Sequence, residues 1–259
     1  MMKRIATLLA LLALSAAPAF ATVLLSESFT YPNGNLVPNG GWANFSGAGT
    51  DIQVVSGRAV VDHNSAPDDH ILFPVQSTTS KTYACFDVIV PPFTGGAAKP
   101  TYFAMLKDAG TSAFVSRVYV LPTASGGITF GISQGATSTT VGATAWTATT
   151  ITTGTKYNVV INYDPSNHAS TLWVNPANES STSVTDVNAA TTALAVQGFG
   201  LRESFTASTL PPPYVLTGIA IQVSVDNLGV GTTFADACAQ YQSTPAQRST
   251  WGAVKQIYR

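Results

Sequence analysis

Charged side chains are scarce in this sequence. Asp, Glu, Lys and Arg make up 10% of its 259 residues, and the formal net charge at pH 7 is −1. A protein that neutralises a phosphate backbone needs a stripe of Lys and Arg. None is present, so nucleic acid is not an expected partner. The histidines are His63, His70 and His168. His168 falls in a turn. His63 and His70 flank a segment carrying Asp62, Asp68 and Asp69, whose spacing matches no zinc-ligand pattern, and the segment reads as a solvated loop. Glutamate occurs as Glu27, Glu179 and Glu203, far apart in the chain. Asp68 and Asp69 are adjacent, so on a strand they would face opposite ways. Gly131-Ile132-Ser133-Gln134-Gly135 has the Gly-x-Ser-x-Gly spacing but falls on an expected strand rather than at a strand-to-helix turn, and no Walker-type loop is present, which removes the marked route to phosphoryl transfer.

Long apolar runs are also missing, with one exception. Residues 5–14 are apolar, follow Met1-Met2-Lys3-Arg4 and lead to the small residues around Ala19-Phe20-Ala21. A basic start, a short apolar run and a small-x-small site make a secretory signal peptide. The run is too short for a stable bilayer span. Residues 1–21 are therefore expected to be cleaved after Ala21. The mature protein is then expected to be secreted, cell-surface or periplasmic, with no membrane span. Cysteine is limited to Cys85 and Cys238. Export permits a disulfide, and closing so long a loop would contribute roughly 4–5 kcal/mol in the chain-entropy model. Two separate buried thiols is the other reading, and spacing alone does not choose between them.

What the chain has in abundance is period-two patterning. Residues 155–164 and 169–176 read as two alternating strands joined by the turn Pro165-Ser166-Asn167-His168. Tyr157, Val159, Ile161 and Tyr163 share one face, and Lys156, Asn158, Val160 and Asn162 the other. In the second strand Leu172 and Val174 oppose Thr171, Trp173 and Asn175. Further strands are expected at 23–30, 52–55, 58–62, 70–75, 81–90, 102–107, 113–121, 128–133, 195–202 and 215–230, with a weaker one near 145–151 and a bend near Asp226-Asn227. Pro32-Asn33-Gly34 and Pro38-Asn39-Gly40 are turn signals. Residues 176–193, 204–213 and 242–249 read as loops or linkers. About a dozen strands with short connections predict an all-β, two-sheet antiparallel sandwich or jelly roll over residues 22–241. Residues 242–259 form a C-terminal tail, either loose or a short helix with Trp251, Val254 and Tyr258 on one face.

Tyr163-Asp164, Leu172-Trp173-Val174-Asn175-Pro176, Phe199-Gly200-Leu201-Arg202 and the run from Val225-Asp226-Asn227 to Asp236 carry a resemblance. So do Glu27-Ser28-Phe29-Thr30-Tyr31 and Arg117-Val118-Tyr119-Val120. The chain resembles bacterial exported domains of the concanavalin A-like lectin/glucanase superfamily, laminin-G-like jelly rolls, up to about Ala237. The resemblance implies fold more than activity, since the superfamily holds lectins, glycosidases, lyases and adhesion modules. Its glucanases carry Glu-x-Asp-x-x-Glu on one strand, and no such triplet occurs here. Related lyases carry Gln-x-His and Tyr strand motifs with an Arg, a context that Gln134 and Gln197 lack. The resemblance also implies a structural calcium between the first and last strands, for which Glu27 and Asp226 are the candidates.

The expected role is therefore a non-catalytic module that binds polysaccharide or cell-surface glycan, or acts in surface adhesion. The alternatives are a glycoside hydrolase or lyase with an unmarked site and a purely structural domain. Sugars are bound by aromatics under the ring and by amides or Arg at its edge. The candidates are Arg117, Tyr119, Asn158, Asn162, Trp173, Asn175 and Arg202, which would form one concave polar surface if their strands were neighbours. In the strand at 113–121, Phe114, Val118 and Val120 are expected to point inward. Trp42, after Gly40-Gly41, is expected to be structural.

Overall fold

The computed structural model describes residues 22–63, 65–92, 101–122, 128–135, 145–147, 150–203 and 222–241. The predicted signal peptide, the loop at 204–213 and the tail at 242–259 lie outside the described residues. In chain order the strands are β1 (Val23–Glu27), β2 (Gly34–Asn35), β3 (Ala43–Ser46), β4 (Gln53–Val54), β5 (Ala59–Asp62), β6 (Asp68–Leu72), β7 (Thr82–Ile89) and β8 (Thr101–Lys107). They continue with β9 (Phe114–Pro122), β10 (Ile128–Ser133), β11 (Ala145–Trp146), β12 (Lys156–Asp164), β13 (Ala169–Val174), β14 (Ser183–Val187), β15 (Gly198–Arg202) and β16 (Gln222–Gly231). A single-turn helix, α1 (Phe234–Ala237), follows.

The strands form two antiparallel sheets. The first runs β14-β13-β12-β7-β16-β5-β4-β2, with β1 also on β16, and the second runs β11-β10-β9-β8-β15-β6-β3. This is the all-β sandwich that the patterning predicts. Between the sheets lies one apolar core, in which Phe86 meets Phe103 and Phe199 edge-on at centroid distances of 6.4 and 5.3 Å. Such aromatic pairs add to the apolar area they remove from water. The hairpin reads correctly in detail. Val159, Ile161, Tyr163 and Leu172 are in the core, and the register Asn162↔Thr171 and Val160↔Trp173 puts the other residues on the outer face.

Trp42 is structural, as expected. It is buried against Phe29, and its Nε1 donates to Glu27 Oε2 at 3.1 Å. The bend in the last long strand is a break in register between Asp226 and Gly229, with Asn227 at φ 49°. An Asn tolerates that left-handed backbone better than most residues.

Three local expectations are corrected. Residues 183–187, expected in a loop, form the edge strand β14, whose alternating exposure hides a weak pattern. Asp68 and Asp69 lie in strand β6 and are buried, so the segment between the histidines is not a solvated loop. In β9, Ser116 at φ 50° inserts a bulge. A bulge shifts the side-chain parity on its far side. Val115 therefore enters the core, and Phe114 lies on the outer face against Phe45 and Arg117.

Cys85 and Cys238 are joined in a disulfide across 153 residues. The bridge pins α1 onto the outer face of the first sheet. Phe234, Ala237 and Cys238 cover Tyr83, Cys85, Val160 and Trp173 as a second apolar cluster. Gly229 and Gly231 make the approach possible, since a Cβ at Gly229 would stand 2.2 Å from the Ala237 carbonyl oxygen and one at Gly231 2.5 Å from Asp236 Cβ. Gln240 Nε2 donates to the Asn227 carbonyl at 2.8 Å and fastens the end of the cover.

Candidate functional site

The sugar-site candidates divide between the two sheets and do not form one surface. Asn158, Asn162, Trp173 and Asn175 lie on β12, β13 and the residue after it, in the first sheet. Arg117, Tyr119 and Arg202 lie on β9 and β15, in the second. The topology causes the split, because β12 pairs with β13 and β7 while β9 pairs with β8 and β10.

The first group is built into the protein. Trp173 is 4% exposed, meets Phe234 edge-on at 5.7 Å and donates Nε1 to the Glu179 carbonyl at 3.1 Å. Asn162 is buried beside Tyr83, whose hydroxyl donates to Glu179 Oε1 at 2.6 Å. Asn175 Oδ1 accepts the Asn158 N–H at 2.7 Å, and the Asn175 N–H returns to the Asn158 carbonyl at 2.7 Å. Asn158 Nδ2 also reaches Cys85 Sγ. The expected exposed platform around Trp173 is thus roofed by α1 and the turn at Glu179. α1 lies far along the sequence, so strand periodicity carries no sign of that part of the roof.

The second group is brought together, and it too is largely covered, with Arg117 4% and Tyr119 6% exposed. On the outer face of the second sheet, the Arg202 guanidinium lies 4.2 Å from the Tyr102 ring centroid, and that of Arg117 lies 5.4 Å from Tyr102 and 5.6 Å from Phe114. Tyr102 packs on Tyr119 at 5.5 Å. Arg202 Nε pairs with Asp68 Oδ2 at 3.6 Å. Further along, Lys107 Nζ lies 4.6 Å from the Phe45 ring centroid and donates to His70 Nδ1 at 2.9 Å and to the Gly110 carbonyl at 2.6 Å. Burial is the main cause of the shifts on this face. It lowers the pKa of Arg117 and of Lys107, and pushes the Tyr119 phenol up to about 12. His70 is pushed down to about 4 by burial and by Lys107, so it is neutral at pH 7. Tyr102, Phe114, Lys107 and His70 were not among the sequence candidates. The run of β8 gave no polar outer pattern to read, because Met105 sits between Tyr102 and Lys107.

Arg117 also lines a pocket of about 370 Å³ with Phe114, Gln134, Asn188, Thr191 and Thr192. Gln134 of the lining is held by a chain of hydroxyls. Ser116 Oγ donates to the Asn162 carbonyl at 2.9 Å and meets Ser170 Oγ, and Ser170 Oγ donates to Gln134 Oε1. The Gln134 N–H donates to Asp186 Oδ2 at 2.7 Å. Amide, hydroxyl and guanidinium groups beside an aromatic ring are the makings of a saccharide site.

The calcium candidates do not fit a hard cation. Glu27 is buried and accepts from the Phe29 N–H (2.6 Å), the Tyr31 hydroxyl (2.6 Å) and Trp42 Nε1 (3.1 Å). A carboxylate ringed by three donors is already satisfied, and Tyr31 is held protonated by burial and by that bond. Asp226 pairs with Arg58 at 3.2 Å and accepts the Asn227 N–H. Among the described residues, no group of three His, Cys, Asp or Glu side chains is placed to hold a metal.

A different acidic residue stands out. Glu203 is 2% exposed, and burial pushes its carboxyl up to about 7 from an ordinary 4.5, against the Asp62 N–H and the Ser65 hydroxyl nearby. The unfolded chain ionises this group near 4.5, whereas the folded protein keeps the proton to about 7. Its contribution to stability is full below 4.5 and is lost as pH rises through 7. Glu203→Gln cannot ionise. Its melting temperature relative to the parent should therefore rise between pH 4 and pH 8, on the order of 5 °C, and thermal melts at the two pH values check this.

No family model matches the chain, and no curated protein matches it. Solved structures do. The CBM2 module of the evolved Dit of Lactobacillus casei BL23 phage J-1 is similar at 11% identity and a TM-score of 0.50, over 82% of this chain and 96% of that one. A sialidase is similar at 12% identity and 0.50, over 84% of this chain but 19% of that one. The alginate lyase Aly36B is similar at 12% and 0.48, over 80% and 95%. At such identities the likeness is one of fold. What the CBM2 module and the sialidase share with this chain is the antiparallel two-sheet sandwich.

Proposed function

We propose that this protein is an exported, non-catalytic β-sandwich that binds carbohydrate through the outer face of its second sheet, holding an acidic saccharide in the pocket beside Arg117. The observation that carries the reading is Arg117 itself, set between the Tyr102 and Phe114 rings at the wall of a cavity large enough for one or two sugar units. Burial and the two neighbouring rings hold the guanidinium in place, so its donors meet a carboxylate without first being ordered. Arg117 is the charged side chain in the pocket lining among the described residues, which favours a uronate over a neutral sugar. Export is supported by the basic-then-apolar start at Lys3-Arg4 and by the Cys85–Cys238 bridge, a bond of oxidising compartments.

Calorimetric titration with uronate-containing and neutral oligosaccharides tests this. The acidic sugars should bind and the neutral ones should bind more weakly. Arg117→Lys keeps the charge but loses the planar fork, and should weaken binding about tenfold, or roughly 1.4 kcal/mol. Equal binding of both sugar classes, with Arg117→Lys indistinguishable from the parent, would rule the site out.

A further inference from the structure

The outer face of the first sheet holds a second cavity, whose lining shares no residue with the Arg117 pocket. It is about 620 Å³, and it lies over β4, β5 and β16. Three carboxylates line it, Asp51, Asp62 and Glu203, together with the amide of Gln222 and the apolar side chains of Val55 and Val60. No Lys, Arg or His is in the lining among the described residues.

Glu203 is what makes this more than an acidic surface. It is 98% buried, the complement of its 2% exposure. Its Oε1 accepts the Asp62 N–H at 2.9 Å, while its buried Oε2 has no hydrogen-bond partner. The nearest hydroxyl proton is spent elsewhere, since Ser65 Oγ donates to the Thr50 carbonyl at 2.9 Å. Once the carboxyl ionises, from about pH 7 upward, that oxygen is a buried charged acceptor left unsatisfied, which costs free energy. A donor from a ligand would relieve that cost. The neighbouring carboxylates make the wanted donor a cation.

We infer that this cleft binds an ammonium-bearing, hydroxyl-rich ligand, an amino sugar, whose ammonium group meets Glu203 and whose ring lies on Val55 and Val60. Gln222 Nε2 already donates to Asp62 Oδ2 at 3.0 Å and holds that carboxylate toward the cleft. Val55 is 46% exposed and offers an apolar surface to the C–H face of a ring. A metal ion is the poorer occupant, because no three ligating side chains converge among the described residues. The site stands independently of the Arg117 pocket, on the other sheet and with the opposite charge preference.

The test is calorimetric titration at pH 7 with the β-1,4 disaccharide of glucosamine and with its N,N′-diacetyl form, which keeps the shape and loses the charge. The free amine should bind at least tenfold more tightly than the acetylated form. Glu203→Gln should weaken it at least tenfold. Val55→Arg sets a cation at the mouth without touching Glu203, and should do the same. Arg117→Lys should leave this binding unchanged. Equal affinity for the two disaccharides, or full binding by both Glu203→Gln and Val55→Arg, overturns the inference. So does a large melting shift with calcium where the amine gives none.

Discussion

Replacing Cys85 and Cys238 together by alanine should lower the unfolding free energy by about 4–5 kcal/mol. The bridge spans 153 residues, and loop closure of that length is the source of the chain-entropy estimate. For a chain of this size such a loss lowers the melting temperature by roughly 10–20 °C. The local effect goes beyond entropy. α1 is a single turn, too short to be stable alone, and it is held by the bridge, by Phe234 on Trp173 and by Gln240 on the Asn227 carbonyl. Without the bridge it should detach more often and expose Tyr83, Val160 and Trp173. Thermal melts of the double alanine variant, read with tryptophan fluorescence, measure both effects. A transition unmoved by the substitution would mean that the cover is held by its packing alone.

Trp173→Ala should cost about 3–5 kcal/mol of stability and leave acidic-sugar binding as it was. The side chain is buried beneath α1, its Nε1–H is taken by the Glu179 carbonyl, and its ring meets Phe234. Truncation leaves a cavity and an unpaired carbonyl on a face that the Arg117 pocket does not share. Denaturant unfolding gives the first number and sugar titration of the folded variant the second. A variant that melts normally but no longer binds sugar would return the site to the first sheet, where the strand pattern alone had suggested it.

The sequence was most legible where neighbours in the chain are also neighbours in space. The β12–β13 hairpin could be read residue by residue, because a four-residue turn sets its register and period-two alternation sets its faces. The bend at Asp226-Asn227 and the structural role of Trp42 were legible for the same local reason. Legibility failed at Ser116. One residue in a left-handed conformation moved Val115 into the core and Phe114 out of it, and serine carries little signal for such a bulge. It failed again at Asp68 and Asp69, where acidic side chains suggested solvent. Both are buried, one by pairing with Arg202 from β15 and the other by accepting from Asn44 of β3. A strand distant in the chain supplies the cation for Asp68, while Asp69 meets only a neutral amide and burial pushes its carboxyl up to about 6.

The candidate site divides along the same line. Arg117, Tyr119 and Arg202 could be picked from strand parity, and the fold brings them to one face. Their companion Tyr102 could not, because which strands lie side by side depends on sheet order, and Phe114 could not, because the bulge at Ser116 reverses its side. The Glu203 cleft was invisible, since Asp51, Asp62 and Glu203 come from separate elements and share no spacing.

By itself, the amino-acid sequence determined that this chain forms alternating strands, that they stack as two antiparallel layers, and that charge is too sparse for a phosphate-binding surface. Those properties follow from side-chain periodicity and composition, which are local. Tertiary structure alone decided which polar face is covered and which carboxylate is left wanting a donor. Both outcomes depend on contacts closed across more than a hundred residues, and the bridge between Cys85 and Cys238 and the bond from Asp62 to Glu203 are the contacts that settle them.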